Sequence, residues 1–137
     1  MAQPGVDRAE NSHRFDPPRT SRVFQMTGDE TVAQVIVDPG ADHEVVLLSA
    51  YFMTETTSRN IGELYFGTTA NMGASALDER AWRVFTQENQ NAANNGFMNY
   101  DGGRNGGLTK ELKCRMTADV GGAAPAWTIS YYLRKLQ

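Results

Sequence analysis

The sequence has one cysteine, Cys114, and two histidines, His13 and His43. An intrachain disulfide is therefore excluded. The paired His and Cys spacings that hold zinc or iron–sulfur clusters do not occur. A lone cysteine fits maturation in a reducing cytoplasm, although secreted proteins also lack disulfides. Long hydrophobic runs are missing too. The longest, Val45 to Met53, is broken by Ser49 and falls far short of the ~20 residues that a membrane helix needs. The opening Met1-Ala2-Gln3-Pro4-Gly5 has neither the basic nor the apolar region of a secretory leader. A soluble protein with no membrane partner is the expectation. The net charge of −3 gives no global attraction for nucleic acid.

Motifs that carry chemistry are equally scarce. A Cys–His nucleophilic pair would have to use Cys114, which falls on the apolar face of its strand, where a thiolate is disfavoured. Gly73-Ala74-Ser75-Ala76-Leu77 lacks the second glycine of a nucleophile elbow. Gly102-Gly103-Arg104-Asn105-Gly106-Gly107 is rich in glycine but lacks the Lys-Ser/Thr ending of a phosphate loop. Asn99-Tyr100-Asp101-Gly102-Gly103 has oxygen donors but fails the EF-hand template, so a turn is expected there rather than calcium. The 16 acidic residues allow carboxylate pairs of many kinds and single out none. The expectation is a protein that is not an enzyme, with no catalytic residues, metal or cofactor.

What the sequence does contain is period-two patterning between turn residues. Thirteen glycines and an Asn-rich middle favour an all-β fold over a helical one. Val23-Phe24-Gln25-Met26 reads as a short strand, followed by a turn at Thr27-Gly28-Asp29-Glu30. Residues 31–37 form the next, with Ala33, Val35 and Val37 on one face and Val32 and Ile36 on the other. His43 to Thr54 is the most apolar segment and reads as a central strand covered on both faces. In Ile61 to Gly67, Leu64 and Phe66 point one way and Glu63 and Tyr65 the other. Ser75-Ala76-Leu77-Asp78 resembles a helix cap, so residues 76–82 form one short helix, or Trp82-Arg83-Val84-Phe85 opens a strand.

Residues 88–107 read as a long loop, with Phe97 to Tyr100 as a brief strand inside it. Loops of that length in compact domains are usually functional or mobile. In the last third, Leu112, Cys114, Met116 and Ala118 alternate with Lys113, Arg115 and Thr117. After Gly121-Gly122, Trp127, Ile129, Tyr131 and Leu133 alternate with Thr128, Ser130, Tyr132 and Arg134. These read as an antiparallel hairpin. The sum is an antiparallel β-sandwich or jelly roll of about seven to eight strands over residues 23–137.

Residues 1–22 differ from the rest. Pro4, Gly5, Pro17 and Pro18 punctuate them, and Val6 and Phe15 are their only large apolar side chains after Met1. Such a segment cannot offset its chain entropy alone and reads as an extended arm that needs a surface to lie against. Fully extended, it would reach about 70 Å. Charge is uneven as well: residues 23–101 carry three arginines against eleven acids, and residues 102–137 carry six cations against two acids. Either the two signs mix on one solvated surface, or they form opposite faces through which copies dock head to tail. Tyr132 among Lys113, Arg115 and Arg134 is too sparse a set for nucleic acid.

The polar arm, then Val23-Phe24-Gln25-Met26-Thr27-Gly28, then Gly62-Glu63-Leu64-Tyr65-Phe66-Gly67, and last the strand Trp127 to Lys135 together resemble the small β-sandwich structural proteins of tailed bacteriophages. Capsid decoration (cement) proteins are the nearest in style. The resemblance implies a virion protein assembled in the host cytoplasm, with the major capsid protein or other virion proteins as partners. It also implies a homo-oligomer such as a trimer. Residues 1–22 would then lash neighbouring subunits, with Phe15 as an apolar anchor and Arg8, Arg14 and Arg19 pairing with acidic groups on the partner. A tail or head-fibre component is a related reading. A carbohydrate-binding β-sandwich is the competing one, with Asn99, Tyr100, Asp101 and Asn105 of the long loop as its contacts.

Overall fold

A computed structural model describes residues 19–55, 60–67, 80–86, 94–117 and 125–136. Eight strands are present: β1 (Thr20–Gln25), β2 (Gln34–Val37), β3 (His43–Thr54), β4 (Asn60–Phe66), β5 (Arg80–Thr86), β6 (Asn94–Asn105), β7 (Leu112–Met116) and β8 (Ala126–Lys135). They form two antiparallel sheets, in the orders β1-β8-β3-β6 and β2-β7-β4-β5. The pairs β1–β8, β2–β7, β3–β6 and β4–β5 are nested one inside the next. The strands thus pair as one long ribbon, folded between β4 and β5 and wrapped so that β8 also meets β3 and β7 also meets β4. That winding makes the sandwich a jelly roll.

Alternation explains which side chains close it. Trp127, Ile129 and Tyr131 of β8 point inward, as do Val45, Leu47, Ala50 and Phe52 of β3; Leu64 and Phe66 of β4 and Leu112, Cys114 and Met116 of β7 face them. Trp127 is fully buried. Its ring lies 4.6 Å from that of Phe52 and 6.1 Å, edge-on, from that of Trp82. Its indole N–H donates to Met26 Sδ at 3.4 Å, which gives the polar tip of the ring a partner inside the core. Burial pushes the Cys114 thiol pKa well up, so the group is a small apolar core residue.

Several expectations are corrected. The two final amphipathic strands are not a hairpin: β7 lies in one sheet and β8 in the other, their dry faces meeting across the core. Alternation marks a dry face but is silent on whether the next strand lies beside it or opposite it. Residues 31–37 contribute strand only over Gln34–Val37, where a register shift between Val35 and Val37 leaves both Ile36 and Val37 buried. Of the two readings left open for residues 76–85, strand holds over Arg80–Thr86, where Trp82 packs edge-on against Trp127; residues 76–79 lie outside the described residues. Residues 94–105 are not a loop but the twelve-residue edge strand β6. Gly96 and Gly103 in it are packing residues: a Cβ on Gly96 would stand 2.7 Å from Val84 Cγ2. Strand pairing also begins at Thr20, within the expected arm, with Thr20, Ser21 and Arg22 opposite Tyr131, Ser130 and Ile129.

Among the described residues, cations from the basic last third meet acids of the preceding part. Arg115 pairs with Glu63 at 3.2 Å, Lys113 with Glu111 at 3.9 Å, and Arg134 with Glu44. Arg83 approaches the other oxygen of Glu63 at 3.4 Å. Each of these cations meets an acid, and three of the four find it on a neighbouring strand, so the two signs intersperse.

Candidate functional site

The outer face of the β1-β8-β3-β6 sheet holds two features, among the described residues, that the closing of the core does not account for. The first is a cleft formed where two ladders break together. Leu47 pairs with Arg104 and Ser49 with Asn99, so Leu48 stands opposite Tyr100, Asp101, Gly102 and Gly103. On the other side of β3, Leu47 faces Tyr131 and Ser49 faces Ser130, which makes Leu48 the extra residue of a β-bulge. Bulges of this kind re-aim a side chain. This one switches the inward set of β3 from Val45 and Leu47 to Ala50 and Phe52, and turns Leu48 into the cleft.

The excursion of β6 is held by glycine backbone. Gly102 and Gly103 have φ of 77° and 85°, a region costly for residues with a Cβ. A Cβ on Gly103 would also lie 2.5 Å from Val46 Cγ1. The resulting cleft has a volume of about 330 Å³ and is bounded by Arg19, Leu48, Asn99, Tyr100, Asp101, Gly102 and Tyr132. That volume lies at the small end of ligand pockets.

The second feature is a row of register partners across the same face: Val23 opposite Thr128, Thr128 opposite Tyr51, and Tyr51 opposite Phe97. Val23 is 70% exposed, Phe97 65% and Tyr51 37%, and the neighbouring Met53 is 45% exposed. Exposure of several large apolar groups on one sheet face, here with Thr128 between Val23 and Tyr51, is characteristic of an interaction surface. Between this row and the cleft runs a polar row of Ser21, Ser130, Ser49 and Asn99.

Of the residues singled out in the sequence, the structure brings Asn99, Asp101 and Arg19 to the cleft. Tyr100 borders it, but its ring packs inward on the core and its hydroxyl donates to Ala81 O of β5. Burial raises the Tyr100 pKa above the usual 10.0, and nearby Arg104 partly offsets the rise. Asn105 ends β6 opposite Val46 and does not bound the cleft. Arg8, Arg14 and Phe15 lie outside the described residues. Sequence reading missed Leu48 and Tyr132. Leu48 sits in a continuous apolar run that carries no sign of a bulge. Tyr132 does carry a signal, since it falls on the outward face of β8 in the alternation that places Tyr131 inward.

Among the described residues no cluster of His, Cys, Asp and Glu could hold a metal ion, and no helix is long and apolar enough to cross a membrane. Comparison with protein-family models gives no match, and comparison with curated proteins finds no relative.

Proposed function

We propose that the chain is a non-enzymatic structural protein of a virus particle, a capsid decoration protein that binds across neighbouring capsid subunits. The observation that carries this reading is the exposed apolar row Val23–Tyr51–Phe97 with Met53 beside it. The core is closed by the opposite faces of these strands, and the row lies outside it. Docked on a partner, its aromatic side chains supply the buried anchors on which interface affinity concentrates.

Two further points support the reading. The nested strand order is one that viral capsid domains share with lectin domains and cupins, a fold-level analogy and no more. Residues 1–18 join the domain at Arg19, immediately before the edge strand β1. An arm leaving there starts beside the cleft, on the strand that carries Val23, and, extended, reaches about 60 Å.

The test is co-sedimentation of the purified chain with capsid shells that lack it, comparing wild type with a Val23→Ser/Phe97→Asp variant. Both positions are exposed, so the thermal midpoint should hold while occupancy falls at least tenfold. Unchanged occupancy would refute the reading. Light scattering on the isolated chain supplies the other arm: a trimer abolished by the same variant, with occupancy intact, would assign the row to a second copy instead.

A further inference from the structure

We infer that the cleft between the β3 bulge and the β6 excursion is a binding site for a neutral pyranose sugar. The inference does not rest on the decoration role, because the cleft and the apolar row occupy different ends of the sheet face. Its observations are the coincidence of two ladder breaks at Leu48, the positive-φ glycines that hold the excursion open, and the set of groups gathered there.

Each group matches one feature of a pyranose. Tyr132 and Leu48 offer the apolar side, against which the C–H face of a sugar ring packs; an aromatic face carries partial negative charge that favours such hydrogens. Asn99 brings both donor and acceptor atoms, Asp101 brings acceptors alone, and Arg19 brings donors alone. Adjacent sugar hydroxyls donate and accept at once and so need that mixture. The single carboxylate and the single guanidinium offset each other, which removes the net positive field that a uronate or phosphate would seek. A lone carboxylate also falls short of the six to eight oxygens that calcium takes. A purely apolar ligand would leave the three polar side chains unpaired.

The cleft is shallow and accommodates one or two rings, so the affinity expected for a monosaccharide is weak, with a dissociation constant on the order of 1 mM. The test is a titration of the isotopically labelled full chain with glucose, galactose, mannose and N-acetylglucosamine in turn, followed by backbone amide chemical shifts. At least one of them should produce saturable shifts confined to Leu48, Asn99 to Gly103 and Tyr132. Asp101→Ala, at an exposed position, should weaken that response at least tenfold with the remaining spectrum unchanged. Tyr132→Phe should keep it, because the ring stays, and Tyr132→Ala should lose it. The inference is overturned if none of the four sugars shifts these amides at concentrations well above that constant. It is equally overturned if the shifts persist unchanged in Asp101→Ala and Tyr132→Ala, or if glucuronate alone produces them.

Discussion

Replacing Trp127 with Ala tests the closure of the sandwich directly. Trp127 is fully buried between the sheets, with Phe52, Trp82 and Met26 around its ring. Aromatic-to-alanine changes in cores cost about 3–5 kcal/mol, and losing the tilted contact with Phe52 adds about 0.5–1 kcal/mol. The neighbour across the core cannot collapse into the space, because it is Gly62, whose added Cβ would lie only 3.1 Å from the indole ring. The cost therefore belongs near the top of the range, about 5 kcal/mol, against a total of about 5–15 kcal/mol for a typical domain. At about 2.1 cal/mol/K per residue of unfolding entropy, the melting midpoint should fall by about 15–20 °C. Urea denaturation followed by circular dichroism should show a lower midpoint with an unchanged slope. A loss below about 1 kcal/mol would refute the reasoning, since a cavity of that size cannot be cheap. A reduced slope would mean that the variant's native state is itself loosened.

Three other perturbations probe separate features. Gly106→Ala sets a Cβ 2.5 Å from Phe66 Cδ1 and 3.0 Å from Val45 O, and should cost about 1–3 kcal/mol by overpacking; a thermal melt unchanged from wild type would show that the 106–107 segment does not lie against β3. Glu63→Ala leaves Arg83 and Arg115 without the nearly buried carboxylate they share, and should cost about 2–4 kcal/mol in urea unfolding; a change under about 0.5 kcal/mol would mean that the pairs are solvated. Tyr100 keeps its proton more firmly folded than unfolded. The stability it contributes is therefore complete below the unfolded pKa of 10.0 and is lost as pH rises above it. The gap in thermal midpoint between wild type and Tyr100→Phe should accordingly narrow above that pH, and a gap that widens would reverse the assigned direction.

How much of this was legible in the sequence depends on which force acts at each residue. Where a single dry face decides, as in Trp127-Thr128-Ile129-Ser130-Tyr131, alternation alone places every side chain. Where two glycines are required by a neighbour's bulk, composition misleads. Gly96 and Gly106 look like turn residues, yet they sit against Val84 and Phe66, which the chain does not reveal until the sheets stack. The same limit hid the cleft. Leu48 is one more apolar residue in Val45 to Met53 until the β3 bulge re-aims it. Tyr100, expected as a loop contact, instead packs its ring on the core, while Tyr132 takes the outer face that alternation assigns it. Asn99 and Asp101 were legible because short polar residues beside paired glycines mark a departure from regular pairing, whether that departure is a loop or a bulge.

The bulge that escapes sequence reading also separates the two proposed surfaces. Successive residues on one face of a strand lie about 7 Å apart. The row Val23–Thr128–Tyr51–Phe97 and the row Ser21–Ser130–Ser49–Asn99 are one such step apart on each strand, and the cleft opens on the far side of the second. A partner seated on Tyr51 and Phe97 therefore meets a polar strip before it reaches Asp101 or Tyr132. A sugar held by Tyr132 and Leu48 is in turn out of reach of Phe97. Sites separated by more than about 7–10 Å with no shared partner behave independently. Asn99, at the end of the polar row, lies on the edge of the cleft, and Arg19, where residues 1–18 join the domain, also bounds it. Coupling between assembly and sugar binding is therefore expected first at Asn99 and Arg19.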